Sequence, residues 1–418
     1  MSAKQTVGLA GAVAIGLASM LGAGVFVVFR EGYALAGTWV WAALALAALV
    51  ASLNSASVYQ LARVIDRPGG TYAYARVFIG EGWSFAAGFA FVAGKIGSIA
   101  AIALALGEYV APELKKYVAV GAIALMTLVN VLGIQRTAAV AAVLAISTSA
   151  FLLVVLSLVA IPLTGARPPL GSEVALPNEL GGAVVTAAAI FFFAFAGYAR
   201  VATLGTEVRD AKRNIPRAIV IVMVSVSVLY FALLFVLQTA LGSSLASIDA
   251  PFAAYLELKL TGSGWLVLPF VAMATLGSIL ALLAGVSRTA AEMAQDRELP
   301  KLFEARNRFG APWVAEVGIA LGASLLVLVA DNLAWAIGFS SFSVLFYYAV
   351  AHLSVCYMRA ANIDSKPRLW LARFMPIVGI LLCLALAISV PGPAFAVSSA
   401  VLVAAVLLRR LFRKPTLG

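Results

Sequence analysis

The chain alternates between long stretches that lack Asp, Glu, Lys and Arg and short stretches that collect them. Charge-free intervals run 5–29, 32–62, 117–135, 137–166, 180–199, 218–248, 260–287 and 332–358; the intervals 82–107 and 309–330 each hold one charge, Lys95 and Glu316. At ~1.5 Å per residue, each is long enough as a helix to cross a hydrocarbon layer ~30 Å thick. The stretch 374–408 is too long for one crossing, and Pro391-Gly392-Pro393 divides it in two, as a turn does. The pattern predicts an all-α integral membrane protein with 12 transmembrane helices. The runs are continuous rather than alternating short strands, which argues against a barrel. The first run follows directly on Met1–Gln5 and is longer than the apolar region of a secretory leader, so it is expected to remain as span 1.

Composition agrees with this reading. Of 418 residues, 63% are hydrophobic and 11% are charged, against about 25% charged in soluble domains. Too few charges remain to wrap a soluble core, which excludes a soluble enzyme, a nucleic-acid module and a disordered chain. The net charge of +11 has a different origin. An even number of spans puts both termini on one side. The loops on that side hold 23 Lys and Arg residues and those on the other side hold 5. This bias predicts a multi-pass cell-membrane protein with both termini cytoplasmic, and leaves no charge excess to assign to nucleic acid. Cys356 and Cys383 fall in or beside spans, so no disulfide is expected. No loop is long enough for a catalytic or receptor domain, so the function belongs inside the bundle. One His, two Cys and no mid-span carboxylate do not furnish a membrane enzyme or a metal site, and no cofactor is expected.

Two spans carry glycine where a helix would pass mid-membrane. Span 1 contains Gly16-Leu17-Ala18-Ser19-Met20-Leu21-Gly22-Ala23-Gly24-Val25-Phe26, and span 6 contains Phe191-Phe192-Phe193-Ala194-Phe195-Ala196-Gly197-Tyr198. Spans 1 and 6 correspond if spans 1–5 and 6–10 are two halves of an inverted repeat, and interrupted segments at matching places point to a transporter's binding site. The competing reading is that these glycines only let helices pack closely.

Four motifs then resemble the amino acid–polyamine–organocation superfamily of amino acid permeases. The first is the Gly-Leu-Ala-Ser-Met-Leu-Gly-Ala-Gly-Val-Phe segment of span 1. The second is Arg67-Pro68-Gly69-Gly70-Thr71-Tyr72-Ala73-Tyr74-Ala75-Arg76. The third is Phe-Ala-Phe-Ala-Gly-Tyr leading to Glu207 and Arg213-Asn214-Ile215-Pro216-Arg217. The fourth joins Ser287-Arg288, Asp296-Arg297-Glu298-Leu299-Pro300 and Ala311-Pro312. The resemblance implies a LeuT-type 5 + 5 inverted repeat with discontinuous helices 1 and 6. It assigns residues 1–165 to the first repeat with helices 1–5, 166–360 to the inverted second repeat with helices 6–10, and 361–418 to helices 11 and 12 with a cytoplasmic tail. It also implies alternating access around a site between spans 1, 3, 6 and 8.

Breaking span 1 frees amides of Gly22, Ala23 and Gly24 at a helix N-terminus, which suits a carboxylate. Breaking span 6 frees carbonyls around Phe193 and Ala194, which suit an ammonium. The expected substrate site comprises Ser19, Met20, Gly22, Ala23, Gly24, Phe193, Ala194, Phe195, Gly197 and Ser98, with Phe193 placed by the resemblance as an aromatic gate. No Asp or Glu lies at mid-membrane to receive a second positive charge. The expected partner is therefore a neutral, mostly apolar L-amino acid. Lys95 sits about halfway along span 3, too deep to snorkel easily. It is expected to carry the coupling proton; the rival readings have it propping broken span 1 through its carbonyls or binding a substrate carboxylate. Span 5 lacks the lysine many relatives carry; Thr148 and Ser149 stand near that place and, with Ser278 and Ser287, leave sodium as a less favoured coupling ion. His352 reads as packing rather than relay. Uptake, export and exchange share this motif set, and a sensor or accessory subunit is the alternative class.

Overall fold

The computed structural model describes residues 7–65, 69–132, 138–161, 181–197, 208–363 and 371–412. It is helical. In chain order the α-helices are α1 Leu9–Met20, α2 Val28–Ala36, α3 Val40–Val64, α4 Thr71–Phe78, α5 Glu81–Val110, α6 Lys115–Val131, α7 Ala138–Ser157 and α8 Gly182–Phe195. There follow α9 Ala211–Leu241, α10 Pro251–Lys259, α11 Val267–Gln295, α12 Trp313–Val329, α13 Leu333–Ala360, α14 Leu371–Ser389 and α15 Gly392–Phe412. Among the described residues, seven helical stretches are long and apolar enough to cross a membrane: Val28–Val64, Glu81–Val110, Pro112–Val131, Arg213–Ala246, Gly264–Gln295, Leu333–Ala360 and Gly392–Arg409. Four shorter apolar helices join them, Ile146–Ala160, Gly182–Phe195, Trp313–Val329 and Arg373–Ser389. The protein is a multi-pass, all-helical membrane protein. As expected, the last long apolar stretch is cut at Val390–Pro391, where α14 gives way to α15.

Two short helices, α4 and α10, were not anticipated. Each lies in a connection between long apolar helices and mixes polar with apolar positions. The turn from α2 into α3 is made at Gly37, whose φ of 53° is open to glycine at little cost. The α12–α13 turn ends on Asn332, whose side chain accepts the Trp335 amide at 2.9 Å as an N-cap.

Burial sorts the helices. In Leu333–Ala360, 89% of the apolar window is buried, against 22% in Gly392–Arg409, so α13 is central and α15 peripheral. The central helix packs along α5 and α14. Gly94 and Gly97 of α5 permit this close approach, since a Cβ at either would press on Ser343 or on Phe339 and Ser340. Outward positions remain apolar: Ile146, Leu153, Val228, Leu321 and Ile388 are exposed, the arrangement expected where the surrounding solvent is lipid.

Candidate functional site

Helix α1 stops after 12 residues and α8 after 14, about 18 and 21 Å of rise, short of the ~30 Å of hydrocarbon. After Met20 the chain leaves the α-helix, passes Leu21 and Gly22, forms one 3-10 turn over Ala23–Phe26 and resumes as α2. After Phe195 it turns at Ala196–Gly197. Residues 198–207, which hold Tyr198 and Glu207 of the third motif, lie outside the described residues. Span 1 is thus interrupted after Met20 and resumes as α2, whereas α8 ends in a turn whose continuation lies outside the described residues.

The two breaks touch. A Cβ at Gly24 would lie 3.1 Å from Ala194 Cα and 3.5 Å from Phe193 Cδ1. One at Gly197 would overlap the carbonyl of Ser19. One at Gly22 would lie 2.6 Å from Ser278 Oγ. Gly24 and Gly197 are therefore places of close backbone approach, Gly22 meets only the Ser278 side chain, and most of the expected site residues come together here: Ser19, Met20, Gly22, Ala23 and Gly24 from one segment, Phe193, Ala194, Phe195 and Gly197 from the other.

The polar atoms of the breaks are partly engaged, which modifies the expected clamp. The Ala23 amide donates to Ser278 Oγ at 3.4 Å, so the amide row is not wholly free. Phe193 O accepts from the Ala196 amide at 3.3 Å. The hydroxyl of Tyr230, on α9, lies 2.7 Å from Met20 O and 3.1 Å from Ala194 O, within donating distance of one carbonyl of each break. A hydroxyl has one proton and each carbonyl two lone pairs, so acceptor capacity remains on both. Ser19 is also committed: its hydroxyl donates to Ile15 O at 2.6 Å, back along its own helix.

The four aromatics of Phe191–Phe195 separate cleanly. Phe191 packs edge-on against Phe29 of α2, Phe192 against Tyr348 of α13, and Phe195 against Tyr230. These three are fully buried, whereas Phe193 retains 9% exposure and faces Gly24. Of these four rings, Phe193 is the one that lies against Gly24.

Two span 3 residues make contacts with other partners. Ser98 pairs with Ser340 of α13, Oγ to Oγ 2.7 Å, so it faces α13. Lys95 places its ammonium 5.9 Å from the ring centroid of Phe91; that ring in turn lies 5.0 Å from Tyr347 of α13. Among the described residues Lys95 Nζ makes no hydrogen bond or ion pair. Ser278 and Ser287 also diverge: the first joins the span 1 break, and the second lies 3.5 Å from buried Glu316. His352 has both ring nitrogens bonded, to Ser57 and Asn54 of α3 at 2.7 Å each, consistent with packing.

Polar clusters lace both ends of the bundle. At one end Tyr72 donates to Asp296 at 2.6 Å, and Arg76 reaches the same carboxylate at 2.7 Å, so the second and fourth motifs meet in space. Burial, reinforced by Asp296, raises the Tyr72 phenol above its usual range. The Thr71 amide donates to Tyr347 across the Gly70 turn, where φ is 56°. At the other end Arg30 of α2 lies 2.9 Å from Asp249 and 3.7 Å from Glu108, and Lys115 holds the other oxygen of Glu108 at 3.1 Å.

The amino acid permease family model matches residues 7–409. The chain belongs to the amino acid permease family. Among its relatives, an uncharacterized transporter of Mycobacterium tuberculosis is 40% identical over 98% of this chain and 92% of its own length. The branched-chain amino acid permease BcaP of Bacillus subtilis is 24% identical over 92% of this chain and 87% of its own. The serine/threonine exchanger SteT of the same organism is 23% identical over 90% and 89%. This permease is an amino acid transporter and not an enzyme.

Sequence reasoning missed one residue at this permease's centre and one polar cluster at its end. Tyr230 is the one phenol in an apolar run, and a buried phenol needs a partner, but the run does not reveal which. The Arg30–Glu108–Asp249 cluster combines residues far apart in sequence whose charges read only as span ends.

Proposed function

We propose that the chain is a secondary active transporter of neutral, mostly apolar L-amino acids, working by alternating access in a twelve-span LeuT-type arrangement with proton coupling or exchange. The observation that carries this reading is the contact between the break after α1 and the C-terminal end of α8, bridged by the Tyr230 hydroxyl to a carbonyl of each. A zwitterion seated there would present its carboxylate to the Gly22–Gly24 amides at the start of the Ala23–Phe26 turn and its ammonium to the Met20, Phe193 and Ala194 carbonyls, displacing or sharing the contacts of Ser278 and Tyr230. The side-chain end then meets Phe193 and alanines. No ion pair or hydrogen bond brings an acidic side chain to either break among the described residues, which disfavours dibasic substrates and diamines. The names of the Bacillus relatives, a branched-chain permease and a serine/threonine exchanger, agree with uncharged side chains.

Counterflow in proteoliposomes tests the substrate class. Leucine, methionine or alanine should exchange well and arginine or putrescine poorly. The reverse preference would overturn the substrate class, and binding without any counterflow would favour a sensor.

Orientation is proposed from the loop charges, with both termini cytoplasmic. A cysteine at Arg306 should react with impermeant reagent only from the inside, and one at Lys115 only from the outside. Labelling of Arg306→Cys on intact cells would invert the assignment.

A further inference from the structure

A cavity of about 180 Å³ lies to the side of the clamp, walled by Phe89, Val92 and Ile96 of α5, Met293 of α11, Phe303 of the following turn and Ile319 of α12. Every residue that lines it is apolar or glycine. An engineered apolar cavity of ~150 Å³ stays dry and takes up benzene. This one is larger, and it suits a length of hydrocarbon better than water.

The connection beside it is unusually cationic once its ion pairs are counted. Asp296 is taken by Arg76 at 2.7 Å, and Glu298 by the guanidinium of Arg409 at 2.6 and 2.9 Å. Those carboxylates are neutralised by other elements, α4 and α15. Arg288, Arg297, Lys301, Arg306 and Arg308 remain exposed, and among the described residues none of them forms an ion pair. Glu292 and Glu304 are the other acids in this segment. Arg306 is steadied by the Gly310 carbonyl at 3.1 Å, and Arg308 lies 4.7 Å over the ring of Phe309. In the same turn as Phe303, Leu302 is 65% exposed, and Trp313 at the start of α12 is 43% exposed. An exposed Leu and Trp beside basic residues mark the depth where hydrocarbon meets headgroups.

We propose that this place binds one anionic phospholipid, with part of an acyl chain in the cavity and its phosphate on the Lys301–Arg306–Arg308 rim. The short turn Lys301–Glu304 supplies both a wall of the cavity, through Phe303, and part of the rim, through Lys301. A neutral lipid would leave the rim unanswered, and a soluble anion would leave the cavity empty. The site uses none of the clamp residues, so it stands whichever amino acid is carried.

Native mass spectrometry of the full-length protein tests it, with bound lipid counted after titration with phosphatidylglycerol, phosphatidylcholine or inorganic phosphate. One phosphatidylglycerol should be retained in preference to phosphatidylcholine. The exposed-site variant K301Q/R306Q/R308Q should weaken its retention about five-fold for each charge removed, with phosphatidylcholine unchanged and the melting temperature preserved. Gly318→Leu should lower retention of phosphatidylglycerol by filling the cavity, since a Cβ there already stands 3.1 Å from Phe303. Equal retention of the two lipids, or unchanged retention in the triple variant, overturns the proposal. Displacement of phosphatidylglycerol by millimolar phosphate overturns it in favour of a soluble-anion site.

Discussion

Gly24→Val is expected to abolish amino acid binding and counterflow while leaving the protein folded. Gly24 is buried where the break after α1 meets the C-terminal end of α8, and a Cβ there would stand 3.1 Å from Ala194 Cα and 3.4 Å from Ala194 Cβ. The nearer neighbour is backbone, which cannot turn aside as a flexible side chain would. Gly24 does not need a left-handed conformation, so the expected effect comes from contact and not from dihedral strain. Overpacking of this kind costs about 1–3 kcal/mol, and the two methyls of valine would occupy the space in which the substrate carboxylate meets the Gly22–Gly24 amides. Gly24→Ala should lie between, weakening binding without eliminating it. Counterflow of leucine by both variants, beside their melting temperatures, checks the series. Wild-type exchange by a folded Gly24→Val would show that the substrate does not use this break.

The same residues show what a single sequence reveals of such a molecule. Charge-free runs marked the long helices because the cost of a charge in hydrocarbon acts on each span separately. The break at Leu21–Val27 was legible because Gly22 and Gly24 flank Ala23 in an otherwise helix-forming run, a local signal. Tyr72, Arg76 and Asp296 were quoted as motif residues, yet that they share one contact is a fact of tertiary structure. The helices α4 and α10 escaped notice because eight or nine residues of mixed polarity carry too little periodicity to stand out. The sorting of Phe191, Phe192, Phe193 and Phe195 depends on which neighbour each direction of α8 meets, and that neighbour is set by distant segments. The partner of Ser98 was hidden for the same reason: its hydroxyl meets Ser340 of α13, and nothing in span 3 alone shows which helix that face meets.

Replacing Lys95 is expected to separate coupling from exchange. A lysine in the middle of a span costs ~2.5–3.5 kcal/mol on insertion scales, and here the ammonium has the Phe91 ring at 5.9 Å and no carboxylate or carbonyl partner among the described residues. A conformational equilibrium shifts only through differential interaction with its two states. If Lys95 carries the proton, Lys95→Ala should lose accumulation driven by a pH gradient yet retain substrate-for-substrate exchange, because the α1 and α8 breaks are untouched. Lys95→Arg should lose accumulation as well, since arginine keeps its proton. A lysine that serves only as a cation over Phe91 predicts the opposite order, because arginine also binds aromatic faces. A sodium-driven carrier predicts a third pattern, with wild-type uptake collapsing without Na⁺ whatever the pH gradient. Uptake of one neutral amino acid by the three proteins, under a pH gradient with and without Na⁺, distinguishes these outcomes. Accumulation by Lys95→Arg at the wild-type level would remove the proton from Lys95, because a guanidinium at that depth has no neutral form with which to return.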